Sequence, residues 1–231
     1  MKKVMLLIIS SIMLVTTLFL PTSALANEDE NDEAIDIESG MPFDTPPIIK
    51  DTYLDENGSL VTEYEYFDEA LYDEEGNILS GITEDGEQKY FENDSGFKIM
   101  NACAPTISSK LISDKLSKGN KKMGWHPDFP KGGNKNVSTF WFSNKTKNVS
   151  YSLGADYGGA SIGVSVSIGN GSGHSIKNPT PQYWMRPAVI SNVHKRVTEF
   201  KQPAKCGMPA KTWRKTAYVA KKTWYRADKV K

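Results

Sequence analysis

The chain has 231 residues, 28 Lys plus Arg against 28 Asp plus Glu, and 39% apolar residues. That length accommodates one or two modest domains, and the composition excludes collagen-like, coiled-coil and multi-span membrane architectures. The zero net charge conceals a sorting along the chain. Residues 27–97 hold 23 acidic and two basic side chains (net −21), and residues 98–231 hold 24 basic and five acidic ones (net +19).

Lys2 and Lys3 precede an almost unbroken apolar run from Val4 to Leu20. Pro21-Thr22-Ser23 ends it, and Ala24 and Ala26 put small residues at −3 and −1 of a cleavage site. This is the pattern of a secretory signal peptide over residues 1–26. It predicts a secreted, extracellular mature chain.

Residues 27–97 read as an acidic pro-segment or spacer. Its first part, Asn27 to Ile37, combines dense negative charge with few large apolar groups and is expected to be disordered. From Tyr53 onward, short Tyr- and Leu-bearing runs are separated by Glu56-Asn57-Gly58, Glu75-Gly76-Asn77 and Glu84-Asp85-Gly86, which signal β-hairpins. A helix over Glu63 to Tyr72 also fits the apolar period. Three roles for the segment compete. It covers the basic half until export, it is a permanent charge partner, or it is a solvating spacer. The near cancellation of −21 by +19 favours the first two.

Residues 98–231 read as a basic, β-rich domain. Cys103 and Cys206 bracket most of it, and an even cysteine count in an exported chain predicts a disulfide. Pro105 to Ser117 is expected to be a helix, with Ile107, Leu111, Ile112 and Leu116 on one face, Thr106 as cap and Gly119 beyond its end. Strands are expected at Val137 to Ser143 and Asn148 to Leu153, joined by a turn at Asn144 to Lys147. Ala160 to Ile168 alternates throughout, with Ile162, Val164, Val166 and Ile168 on one side and Ser or Gly on the other. Further strands are expected at Tyr183 to Met185, Val189 to Phe200, Thr212 to Ala220 and Thr223 to Arg226. The fold class is therefore mainly β: a disulfide-linked antiparallel domain with one N-terminal helix, preceded by an acidic, partly disordered segment carrying hairpins.

The alternating stretch has two readings. One is a half-buried strand. The other is a membrane-inserting hairpin, Tyr151 to Ile168, uncharged except for Asp156 at its tip and about as long as a barrel strand. Lys195, Arg196, Lys211, Arg214, Lys215, Lys221, Lys222 and Arg226 form the candidate surface for anionic ligands. Trp213 and Trp224 lie among them and are, with Ile162, Val164, Val166 and Ile168, the candidates for apolar insertion.

No catalytic or metal-site spacing stands out, and no cofactor is implied. His126, His174 and His194, one of them with another His or with Glu199, could serve a nuclease-type hydrolase as acid and base. The reading as a whole is a secreted cationic protein, bacteriocin-like or toxin-like, that acts on anionic membrane or cell-wall polymer and is held as a precursor by its acidic pro-segment, an intramolecular partner. The alternatives are the nuclease, with nucleic acid as its partner, and a non-lethal wall-binding module.

Overall fold

The computed structural model describes residues 47–73, 75–91, 103 and 106–230. The signal-peptide region, Ala24 and Ala26 included, and the acidic stretch before residue 47 lie outside the described residues.

The acidic part supplies five strands: β1 (Ile48–Leu54), β2 (Leu60–Glu65), β3 (Phe67–Tyr72), β4 (Ile78–Thr83) and β5 (Gln88–Tyr90). The three expected turns join β1 to β2, β3 to β4 and β4 to β5, and they are built alike. In each, a glycine N–H returns to the carbonyl three residues back: Gly58 to Asp55 (2.9 Å), Gly76 to Asp73 (3.2 Å) and Gly86 to Thr83 (2.9 Å). All three glycines have positive φ, a conformation that costs other residues a steric penalty. Asp55 and Asp73 also accept backbone N–H bonds from the far side of their turns.

The basic part supplies six strands: β6 (Ile107–Trp125), β7 (Thr139–Ser152), β8 (Ser161–Gly169), β9 (His174–Lys177), β10 (Met185–Gln202) and β11 (Lys211–Lys229). A main antiparallel sheet has the order β1-β2-β11-β10-β6-β3-β4-β5, and a smaller one the order β8-β7-β9. The Cys103–Cys206 disulfide is formed.

The helix expected over 105–117 is not formed by its described residues: those from Ile107 onward are the first half of β6. Its apolar spacing came from bulges. Against β10, Thr198 pairs with Leu111 and Val197 with Ser113, which leaves Ile112 as an extra residue; a second extra residue, Ser117, lies between Leu116 and Lys118. Each bulge shifts the strand's alternation by one, and two shifts turn a period of two into an apparent helical spacing. Ile112 and Leu116 are exposed, so no core called for the spacing. The helix alternative over 63–72 is likewise replaced, by β2 and β3.

Two expected breaks are bulges as well. Asn144 to Lys147 is no turn: β7 runs through it with a shift in its pairing to β8 between Phe142 and Thr146. Lys221 does not divide β11, because it is the extra residue where Asn192 pairs with Lys222 and Val193 with Ala220.

The strand order dictates the shape of the main sheet. Tyr66 alone separates β2 from β3, yet β11, β10 and β6 lie between them in the sheet. In a flat sheet that gap would be four strand spacings, about 19 Å; two peptide units reach about 7 Å. The sheet therefore curls strongly, and the bulges of β6, β10 and β11 add the twist that this requires. A salt bridge from Lys50 of β1 to Asp85 in the β4–β5 turn (3.7 Å) ties the two outer ends together.

The small sheet packs over β11, with β9 also reaching β2. Phe140, Phe142, Ile162, Val164, Val166 and Ile176 meet Tyr64, Val189, Val193, Val219 and Tyr225 there. Burying each such side chain stabilises by roughly 1.5–3 kcal/mol. A second cluster, Phe67, Ala70, Tyr72 and Phe200, fills the β3 end.

The disulfide joins residues 103 positions apart. Its reduction should lower stability by about 4–5 kcal/mol on the chain-entropy account. Urea unfolding of the oxidised and the reduced, alkylated protein measures the shift.

Candidate functional site

Two features stand out: an ion cluster where the chain crosses the sheet, and the way the small sheet is attached to the large one.

Arg196 lies on β10, the middle of the three long strands, and its side chain is fully buried. Its Nη2 donates to the Phe67 carbonyl (2.8 Å) and to Asp68 (3.3 Å). Its Nη1 donates to Glu84 and Asp114, each at 3.2 Å. Lys221 joins the same two carboxylates, because the bulge turns both Lys221 and Lys222 towards this side. Burial pulls the Lys221 ammonium down to about 8 despite the opposing charges of Asp68 and Glu65. Both cations lie over the Tyr66 ring. Beside the cluster, an open cleft of about 540 Å³ is lined by Lys50, Glu63, Asp68, Asp114, His194 and Lys222, among others. His194 Nδ1 sits 2.7 Å from Asp114 Oδ1.

The expected anionic-ligand residues thus divide. Arg196 and Lys221 meet in the ion cluster. Lys222 pairs with Glu63 (2.5 Å), Arg214 with Glu199 (3.1 Å) and Arg226 with Asp228 (2.7 Å). Lys195 and Lys211 are exposed, and Lys211 lies over the Trp213 ring. Lys215 is half-buried. Trp213 stacks on Phe200 (5.6 Å), and Trp224 is half-buried. Ile162, Val164 and Val166 are buried between the sheets, with Ile168 half-buried at their end.

The histidines are not gathered into one site. His126 is fully buried and edge-on to Phe129, Phe142 and Tyr225. His174 stacks on Phe142, and burial pushes its pKa down. His194 lines the cleft beside the ion cluster, and its partner is Asp114 rather than Glu199.

No backbone ladder joins β8 to the main sheet. Three side chains do. The Tyr64 hydroxyl donates to the Ser165 carbonyl (2.8 Å) and accepts the Ser165 N–H (2.9 Å). The Tyr225 hydroxyl accepts the Ser167 N–H (2.5 Å), and His126 Nε2 donates to the Ser167 carbonyl (2.7 Å). These three clasps and Asp114 were missed in the sequence. Asp114 could have been marked by its rarity, as one of five acids after residue 97. Nothing local marks the tyrosines.

Comparisons with known protein families, with curated proteins and with solved structures give no match for this chain.

Replacing Arg196 by Met would leave Asp68, Glu84 and Asp114 facing one another with a buried partner gone. A loss of about 3–5 kcal/mol is expected in urea unfolding. A second expectation concerns acid. Burial holds His126 neutral, with its pKa pushed down to about 4 from an ordinary 6.5. Below 6.5 the unfolded chain takes up the proton first, so stability is full above that pH and falls as pH drops from 6.5 towards 4. The loss attributable to this residue is about 3 kcal/mol. His126→Gln keeps a donor for the Ser167 carbonyl and should flatten that slope in urea midpoints measured between pH 7 and 4.

Proposed function

We propose that this protein is secreted and toxin-like or bacteriocin-like, and that its basic part, residues 98–231, brings it into contact with the membrane of anionic cell envelopes. The single observation that carries the reading is the β7–β8 hairpin. Its register, with Ser152 opposite Ser161, Tyr151 opposite Ile162 and Val149 opposite Val164, gives one apolar and one Ser/Asn/Gly face. From Asn148 to Ile168 only Asp156 is charged. The apolar face is buried against the main sheet, which is where a water-soluble form has to keep it. Removal of that cover would expose β8, nine uncharged residues and about the length of a bilayer-crossing strand, paired with β7, whose Lys147 stands opposite Val166.

Export is supported by the signal-peptide pattern and is compatible with the disulfide. Exposed cations such as Lys195 and Lys211 supply long-range attraction to anionic surfaces. The acidic segment acts as a built-in charge partner: β2 is laddered to β11 and β3 to β6. A chain cut between residues 91 and 106 would still hold both parts by those ladders, so the species to test is the chain carrying both.

The test is dye release from anionic vesicles at low ionic strength, using the mature full-length protein. Release is expected, and it should fall steeply in about 0.5 M salt, where screening shortens the Debye length to a few ångströms. Vesicles that stay tight at low salt overturn the reading.

A second reading, the nuclease-type hydrolase, draws on one observation: the His194–Asp114 pair in a cleft with Lys221 and Lys222. Nucleic-acid cleavage lost in His194→Ala would favour it, and no cleavage by the wild type removes it.

A further inference from the structure

The outer edge of β8 is a strand edge kept from pairing. Ser165 and Ser167 turn their N–H and C=O groups away from β7, because both residues bond to Tyr64, Tyr225 and His126 instead. Backbone direction alternates along an antiparallel strand, so Ser161 and Gly163 turn theirs the same way, and Ile162, Val164 and Val166 turn theirs towards β7. Edge strands are prone to pair with other chains. Here side-chain hydroxyls and an imidazole occupy positions that a neighbouring strand would fill.

The same hairpin has a second open edge. β9 pairs with β7 only from Thr139 to Phe142, and among the described residues no strand pairs with the far side of β7 from Thr146 to Ser152. The hairpin thus carries two edges, on opposite sides, of matching length. One is open and the other is capped by three side chains.

We propose that the β8 edge, Ser161 to Ser167, is a self-association surface that pairs with the open β7 edge of a second copy of this chain once the Tyr64, Tyr225 and His126 clasps let go. The occupant is a second copy because the two edges are complementary and lie on one hairpin. Addition is head-to-tail, so each copy added leaves one β8 edge and one β7 edge free until a ring closes. The membrane-contact reading, on which this part alone rests, makes the pairing obligatory: in hydrocarbon every backbone N–H and C=O must find a partner within the protein, and a lone hairpin leaves two rows unpaired.

The test compares three full-length proteins: wild type, Tyr64→Phe/Tyr225→Phe, and that double variant with Gly163→Pro. The double variant removes two clasps without altering charge or ring packing. Gly163 is exposed, and a Cβ there would meet open space. Its N–H points outward, so proline deletes one edge donor and leaves the β7 ladder intact. Ser161→Pro, at the start of the strand, is a second block of the same kind. Circular dichroism establishes that each protein is folded, and sedimentation velocity with cross-linking reads its size in solution and on anionic vesicles.

The double variant is expected to associate at a protein concentration at least tenfold below that needed by the wild type. Either proline should return it to the monomer. A folded double variant that associates no more readily than wild type in both settings overturns the inference, as do oligomers that neither proline disturbs. Proline-sensitive oligomers that release no dye keep the edge inference and remove the membrane reading. Dye release untouched by either proline keeps the membrane reading and overturns the edge inference.

Discussion

The buried guanidinium of Arg196 is the constraint on which the rest of the fold hangs. A charge with no solvent access is tolerable only when it is paired, because an unpaired buried ion costs several kcal/mol. Its partners come from three places in the chain: the Phe67 carbonyl and Asp68 at the start of β3, Glu84 in the β4–β5 turn, and Asp114 on β6. They can reach one side chain of β10 only if the chain crosses the sheet at Tyr66 and the β3–β4–β5 end curls inward. Apolar packing would accept many sheet curvatures. An ion with directional donors accepts few, so the cluster fixes where the crossover lies.

That constraint gives the sorted charge a structural meaning. In sheet order the three basic strands (β11, β10, β6) are flanked by β2 on one side and β3 on the other, each with two acidic residues and no basic one. The sequence halves interleave in space, with three long basic strands flanked by acidic ones. Lys222 meets Glu63 across one seam, and Lys110 meets Glu69 across the other. Exposed pairs of this kind contribute little individually. Their sum still biases which strand sits beside which, since like charges placed opposite one another would oppose the wrong pairing.

The parts of the fold legible in sequence were those governed by short-range chemistry. The three glycine turns of the acidic half, the unbroken alternation of Ala160 to Ile168 and the disulfide all follow from rules acting over a few residues or from a count. The misreadings share one cause. At Ile112, Ser117, Asn144 and Lys221 a bulge or register shift interrupts a long strand, and a single-residue phase slip looks like a helix or a loop in one dimension. Such bulges are set by the curl of the sheet, and the curl is set by a crossover between strands that are adjacent in sequence and distant in the sheet. Of the candidate site, the amphipathic hairpin was legible. The clasps were not, because Tyr64 and Ser165 are 101 residues apart, and a tyrosine that caps a backbone has the same sequence signature as one that fills a core.

The two ways in which strands are held here also divide the molecule mechanically. β6, β10 and β11 are joined by ladders running nearly their whole length, with the disulfide bridging residues just before β6 and just after β10. Separating them means breaking many backbone bonds together. The small sheet has ladders only within itself, and it meets the main sheet through apolar contacts and a few side-chain hydrogen bonds. Opening free energies within a protein follow the density of such ties. The interface between the sheets is held chiefly by the main apolar core, so parting it exposes that core. The bonds lost there are those of Tyr64, Tyr225 and His126, and the surface uncovered is the Ile162, Val164 and Val166 face. A fold built for rigidity alone would have continued the ladder through β8. Capping its edge with side chains meets the outward backbone groups of Ser165 and Ser167 without a neighbouring strand.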